Sequence, residues 1–546
     1  MHDKRLKDPI YGYIDISTEL IEKVVDTAEF QRLRSIIQTS YSPLYASAVH
    51  NRFVHSLGVY HLGTLVSTTF EDYIEKNNLG SHLKKMVTVF QYACLLHDVG
   101  HAPFSHTGEQ FYLERPESSR DPLHNEIADL ISDEDFLGEI KKENYEAAPH
   151  ELMSVVVALK KFPDLFENAE EKSFFARCIL GYKYVQKEDG LLSCEKSFLN
   201  CMISMLNSSI IDVDKLDYLI RDAYITGFDT VAIDFRRLLT NVIIFEENNL
   251  CKLVYTTGAI SVIENVVFAH DAERKWIQNH PIVVYDSYLL QRSLENLDSE
   301  YHVFNEAALS VEGTIFTDGY RVSLLSDGDI LFLMKNKLDD PFIVEYFARR
   351  NRRHPLWKSE AEYKALFSLG YGGAILTIFE RNMEELLKAI NYLGFQNVLN
   401  NEVLSAFTRD MELLEKTIQT YPDEKKALYR EPLARKKQYV DWLNCFRSFA
   451  EDQGIEFDFV IIQVNQFNSG FIKIEFENIE VKFPTANQLF QFKEVTNALS
   501  AKKSDRKKFF YIYARRNKDN ASIDVQALLG KLGKLAIDEA YSINTT

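Results

Sequence analysis

The sequence predicts a mainly α-helical protein with a smaller α+β region towards its C-terminal end. Three observations carry that expectation. Apolar residues recur at helical spacing, with interruptions, from Thr18 to about Leu297. The segment from Leu83 to His97 is apolar on most faces, as a helix in the middle of a bundle must be. Runs rich in β-branched and aromatic residues gather after Phe457. On this reading residues 1–325 form the core, 326–455 a helical extension with a basic cluster, and 456–546 an α+β region.

The 546 residues, 46% hydrophobic and 26% charged, have the balance of a globular chain with a large core. A formal net charge of -18 argues against a nucleic-acid-coating role and leaves room only for a local basic groove. The six cysteines form no CxxC pair and are expected to be reduced. With no apolar signal-peptide core after Met1 and no membrane-length apolar run, the expectation is a cytoplasmic protein without a membrane partner.

Taken in order, Asp8-Pro-Ile-Tyr-Gly-Tyr-Ile-Asp-Ile alternates as a short strand and turn, and helical spacing begins at Thr18. Pro43 interrupts it, and His50-Asn-Arg-Phe-Val-His55 opens another helix. The acidic stretch from Glu114 to Ala148 reads as a loop-rich excursion, in which His124 is expected to be solvated. His150 follows Pro149 at the start of the next helix. Beyond Leu324 lie a basic knot (Arg349, Arg350, Arg352, Arg353), a charged helical section from Ser359 to Asp452, and strands at Phe457, Gly470 and Phe509. A basic run at Lys502, Lys503, Arg506, Lys507 and Lys508 precedes the last strand.

The residues with chemistry cluster around Leu96-His97-Asp98-Val99-Gly100-His101, with His106 shortly after. Imidazole and carboxylate are ligands for a borderline or hard divalent metal. Arg52 and His55 share one helix face, and Asp214, Tyr218 and Asp222 form a stripe at i, i+4 and i+8. Such a stripe is expensive to bury unless it faces a metal, a ligand or water.

In this order the residues resemble the HD-domain metal-dependent phosphohydrolases, whose pattern H…HD…D is matched by His55, His97-Asp98 and Asp214. Longer words narrow the resemblance: Asp8-Pro-Ile-x-Gly, Asp26-Thr-x-x-Phe-Gln-Arg-Leu-Arg34, His50-Asn-Arg-Phe-x-His-Ser-Leu-Gly58, His97-Asp-x-Gly-His-x-Pro-Phe-Ser-His106 and Asp212-Val-Asp-Lys-x-Asp-Tyr218. They are similar to those of the deoxynucleoside triphosphate triphosphohydrolases, close to the sterile-alpha-motif and HD-domain dNTPases but without the sterile-alpha-motif module. The resemblance implies an HD-domain helical bundle that binds one divalent metal (Fe, Mn, Zn, Ni or Mg) through His55, His97, Asp98 and Asp214. It also implies cleavage of a dNTP, carried with Mg, to deoxynucleoside and inorganic triphosphate.

Within that chemistry His106 and His150 are candidate acids for the leaving oxygen, and His101 a contact to substrate or its phosphates. Arg52 and Lys215 are candidates to neutralise phosphate oxygens, although Arg52 could instead be an ion-pair partner of Asp217. The resemblance places Gln38 and Tyr218 around the sugar, with Asp222 nearby. It also implies nucleotide activation (GTP or a dNTP) of a homo-oligomer through Lys4, Asp26, Gln31 and Arg34, which could equally be a cap and a solvated helix face. One departure stands out. Ala269, Glu273 and Ile277 occupy positions where the family carries an arginine, a histidine and a tyrosine facing the nucleotide. Alternatives from other classes are an HD phosphohydrolase acting on a cyclic or alarmone nucleotide or as a nuclease, and a nucleotide-sensing subunit.

Overall fold

The computed structural model describes residues 3–543 apart from 40–43, 114–120, 133, 144–145, 186–191, 209–210, 229–231, 303, 316–318, 371, 466–475, 477–478, 485–487, 497–507 and 516–522. The fold is mainly α and divides into two compact units, each built from more than one chain segment. The first contains residues 1–278, 286–344 and 468–503, and the second residues 279–285, 345–467 and 504–546. The units therefore do not coincide with the contiguous segments 1–325, 326–455 and 456–546, because the chain passes between them several times.

The first unit opens with an antiparallel hairpin, Lys4–Asp8 with Gly12–Ile16. Its centre is the helix pair α1 (Arg52–Lys76) and α2 (Ser81–Leu96). On α2, Leu83, Met86, Val87, Val89, Phe90, Ala93, Cys94, Leu95 and Leu96 are all buried, so the all-round apolar pattern is that of a bundle centre. The stretch read as a loop-rich excursion instead holds α3 (Asp121–Ile131) and α4 (Glu134–Glu143). Ile127, Ile131, Phe136 and Ile140 are buried, so a thin apolar stripe in an acidic background carries these helices. His124 is likewise buried rather than solvated, with Nε2 at 2.8 Å from the Tyr182 hydroxyl.

The bundle continues with α5 (Pro149–Lys161), α6 (Ala169–Leu180), α7 (Cys194–Leu206) and α8 (Val213–Thr226). α1 receives α8 on one side, and α2 packs against α6. A mixed sheet, with Val242–Glu247 pairing Leu250–Thr256 and Glu480–Lys482 beyond, lies beside α7. α9 (Ile260–Glu273) contacts α8, and α10 (Asp327–Lys335) follows later in the same unit.

In the second unit Lys508–Ala514 runs antiparallel to Asp458–Asn465, which also pairs with Val398–Asn400. Helices Gly372–Tyr392, Asn401–Gln419 and Arg430–Gln453 make up most of the charged helical section. In the basic knot, Arg353 is buried against Glu345 and Asp458. The Gly470 strand (except Phe476) and Lys502, Lys503, Arg506 and Lys507 lie outside the described residues; Lys508 pairs with Glu384 at 3.3 Å. The six cysteines are free thiols, and no helix among the described residues is long and apolar enough to cross a membrane.

Candidate metal centre and histidine cluster

Three helix ends deliver the metal-type ligands. Asn51 caps α1 by accepting from the Val54 amide at 3.3 Å, which places His55 in the first turn. α2 stops at Leu96, and His97 and Asp98 occupy the turn that follows. Asp212 caps α8 by accepting from the Lys215 amide at 2.7 Å, which places Asp214 in the first turn. Gly100 closes the His97 turn onto α5: a Cβ there would lie 2.3 Å from the Ser154 nitrogen.

His55 Nε2 lies 3.3 Å from His97 Nε2, 3.0 Å from Asp214 Oδ1 and 3.6 Å from Asp98 Oδ2. His97 Nε2 lies 3.4 Å from Asp98 Oδ1 and 3.6 Å from Asp214 Oδ1. The remaining ring nitrogens decide what this means. His97 Nδ1 faces the Cys94 carbonyl at 3.0 Å, and a carbonyl only accepts, so Nδ1 carries the proton. His55 Nδ1 faces Asp217 Oδ2 at 2.8 Å and donates in the same way. In neutral rings both Nε2 atoms are therefore bare acceptors, converging with carboxylate oxygens and no donor among them. That arrangement fits a cation.

The same field acts on protons. Burial works against a charge on His55, but hydrogen bonds to Asp214 and Asp217 and the charges of Asp217 and Asp98 carry its pKa up to about 9. Burial pushes the Asp98 carboxyl up, yet Arg52, His97 and His55 hold it well below the usual carboxylate range. Asp214 is held low against burial by His55 and His97. Its side chain keeps 36% exposure while His55 has none, so the cluster is reached by solvent on the Asp214 side.

Behind the ligands, Asp217 accepts from Arg221 Nε and Nη2, both at 2.9 Å, and from the Tyr11 hydroxyl at 2.7 Å. Asp8 reaches Arg221 Nη1 at 3.1 Å, tying the N-terminal hairpin to the metal centre. Gly58 makes room for this pair, since a Cβ would sit 1.8 Å from Asp217 Oδ1.

The three histidines proposed as catalytic come together. His101 stacks on His150 with centroids 4.1 Å apart, and His106 meets both rings edge-on at 5.3 and 5.1 Å. Both ring nitrogens of His101 are buried without a hydrogen-bond partner among the described residues. His101 Nε2 lies 3.4 Å from Asp98 Oδ1 and so joins the two clusters. Glu109, which the sequence did not single out, bonds His150 Nδ1 and reaches His106 Nδ1 at 3.2 Å. The available signal was its position three residues after His106. Burial disfavours a charged His150, but Glu109 raises its pKa above the ordinary value. Burial and the cations Arg52 and His150 push His101 well below it. Glu109 thus favours a proton on His150, while burial and the neighbouring positive charge disfavour one on its stacked neighbour His101.

The expected phosphate-binding cations are already engaged. Arg52 donates to Asp98 Oδ2 at 2.7 Å, to Ser105 Oγ at 2.9 Å and to the Gln38 carbonyl at 3.3 Å; its partner is Asp98, not Asp217. Lys215 Nζ lies 2.6 Å from Asp212 Oδ2 and 2.7 Å from the Ser208 carbonyl. Gln38 and Asp222 are linked through His50, whose carbonyl accepts from the Gln38 amide at 2.9 Å and whose Nε2 lies 2.6 Å from Asp222 Oδ1. Gln38 Oε1 and Asp222 Oδ2 are buried without partners among the described residues. Burial, then the charges of Glu273 and Asp214, raises the Tyr218 hydroxyl well above its ordinary range. Glu273 is itself buried, so the departure noted in sequence puts a carboxylate beside Tyr218. Lys4 and Asp26 face each other at 3.9 Å and are half-exposed, while Arg34 donates to Gln31 at 2.7 Å and lies over the Phe53 ring.

Imidazole and carboxylate groups from α1, the α2 turn and α8 thus converge where they could hold one metal ion, and an HD-domain model matches residues 52–188. That match makes this stretch similar to an HD domain. The chain is 33% identical over 242 residues to the deoxynucleoside triphosphate triphosphohydrolase SAMHD1 of Xenopus laevis, covering 43% of this chain and 36% of that one. It is 28% identical over 271 residues to the uncharacterized protein MG461 of Mycoplasma genitalium, covering 48% and 53%. The chain thus spans about half the length of one of these relatives and about a third of the other. A crystal structure of an Aquifex aeolicus protein superposes with a TM-score of 0.53 over 98% of this chain at 18% identity, a likeness of fold.

Proposed function

We propose that this protein is a divalent-metal-dependent phosphohydrolase that cleaves deoxynucleoside triphosphates to the deoxynucleoside and inorganic triphosphate. The observation that carries the reading is the joining of two clusters. An acceptor-only centre (His55, His97, Asp98, Asp214) meets, through the 3.4 Å approach of His101 to Asp98, a histidine cluster in which Glu109 favours a proton on His150. Similarity to a dNTP triphosphohydrolase over 43% of the chain supports the choice of substrate. His55, His97, Asp98 and Asp214 would hold a divalent ion, which when bound would supply Lewis acidity towards a phosphoryl oxygen and acidify water. His150, on which Glu109 favours a proton, is the acid for the leaving oxygen, with His106 on the exposed side and His101 stacked beneath. Arg52 and Lys215 add positive charge from positions fixed by Asp98 and Asp212. Gln38, Tyr218 and Asp222 with His50 offer hydrogen bonds to the sugar, and the nucleotide arrives with Mg.

A homo-oligomer activated by GTP or a dNTP at Lys4, Asp26, Gln31 and Arg34 belongs to the same proposal; unchanged mass and turnover across added nucleotides would remove that part. Buried Glu273 beside Tyr218 favours a second reading, hydrolysis of a less charged phosphoester such as a cyclic nucleotide. Incubating metal-loaded protein with each dNTP, NTP, cyclic nucleotide and a short oligonucleotide, followed by ion-pair chromatography, separates the two. Tripolyphosphate supports the first reading and nucleoside monophosphates the second.

A further inference from the structure

Ser326 and Asp329 cap α10, because Asp329 Oδ2 accepts from the Ser326 amide at 2.8 Å and hydroxyl at 2.7 Å. The carboxylate between them, Asp327, is therefore not needed to cap its own helix. It reaches two distant backbone segments instead. Oδ2 accepts from the Ile37 amide at 2.8 Å, and Oδ1 accepts from the Phe104 amide at 2.7 Å. Each segment carries a candidate site residue: Gln38 follows Ile37, and His106 follows Phe104 and Ser105.

The second segment needs holding. Phe104 and Ser105 have φ values of 58° and 54°, left-handed conformations that side chains with a Cβ seldom adopt, least of all twice in succession. This double reversal starts the turn that brings His106 against His101 and His150. Ser105 Oγ donates to the Ile37 carbonyl and accepts from Arg52, so the two segments are also tied to each other. Arg32 adds a parallel tie, donating to the Leu325 carbonyl and to the carbonyls of Val99 and His101, all at 2.9 Å. The charged groups facing Asp327 are Arg32 and Arg52. Even so, burial pushes its carboxyl up to about 6, so holding it ionised there is costly, which fits a role beyond stability.

We infer that Asp327 is a positioning residue, a clamp whose two backbone hydrogen bonds hold the strained Phe104–Ser105 turn and so set His106 against the His101–His150 stack. The inference rests on the hydrolase reading for its catalytic consequence but not for its structural one. The test compares metal-loaded wild type, Asp327→Ala and Asp327→Asn. Amide exchange at Ile37 and Phe104 should accelerate by about tenfold or more in Asp327→Ala. Labelling of His150 by diethyl pyrocarbonate should quicken as His106 leaves its ring. Metal content should stay at the wild-type level, and kcat should fall by roughly tenfold to a hundredfold with KM within about twofold. Asp327→Asn, which keeps one acceptor and turns an amide against the other N–H, should fall between the two. Unchanged exchange and labelling would overturn the clamp, as would faster exchange with unaltered kcat, or a loss traced wholly to metal loss or unfolding. A wild type that turns over none of the nucleotides sinks the hydrolase reading instead, and exchange with labelling then decides the clamp alone.

Discussion

Replacing Asp217 by asparagine tests whether the metal centre is built from behind. Asp217 is fully buried, touches no reacting group, and holds His55 Nδ1 at 2.8 Å while accepting twice from Arg221. An amide of the same shape keeps the packing but loses the negative charge that fixes the His55 tautomer and raises the basicity of Nε2. Loss of a partner behind a ligating histidine weakens metal binding by roughly 10–100-fold, which is about 1.4–2.7 kcal/mol at about 1.36 kcal/mol per decade. The geometry places this variant towards the upper end, because Arg221 would be left buried with only Asp8 at 3.1 Å as an ionic partner, adding positive charge behind the site. Chelator competition followed by metal analysis gives the dissociation constant, and thermal unfolding of the metal-free form reports the fold separately. An unchanged metal affinity in a folded Asp217→Asn protein would refute the reasoning.

Asp214→Ala should abolish metal retention and turnover while circular dichroism shows helical content near that of the wild type; full activity would reject the ligand assignment. Glu109→Gln should lower kcat and move the basic limb of its pH profile to lower pH. Glu109 raises the His150 pKa, so a protonated His150 persists to higher pH only while that carboxylate is present. By the same sign, the stability contributed by the pair is complete below the unfolded histidine pKa and is lost as pH rises through the folded one, so melting curves of wild type and variant should converge at alkaline pH. Gly58→Ala should destabilise the protein by about 1–3 kcal/mol or more, since its Cβ would meet Asp217 Oδ1 at 1.8 Å and Arg221 Nη2 at 2.6 Å; a melting temperature equal to the wild type's would show that the helices separate freely.

The bundle and the convergence of its histidines and carboxylates were legible because both signals are local. An apolar run such as Leu83–Leu96 declares burial by itself, and His55, His97, Asp98 and Asp214 stand beside helix ends whose caps, Asn51 and Asp212, are also in the sequence. What escaped depends on contacts between distant segments. Glu109 lies in a polar turn, and only folding presents it to His150 on another helix. Asp217 sits among several carboxylates on α8, and nothing local says which one will face His55. The helices at 121–131 and 134–143 hide their apolar stripe in acidic surroundings, so composition outweighed periodicity there. Sequence spacing could not show that carboxylates already hold Arg52 and Lys215, the expected phosphate-binding cations.

The most direct test of the account is the phosphorus-31 spectrum of metal-loaded protein turning over a dNTP. Resonances of inorganic tripolyphosphate, growing in step with free deoxynucleoside and absent from the Asp214→Ala control, are the predicted result. Orthophosphate or pyrophosphate as the primary product, or no turnover with any divalent metal, would contradict it.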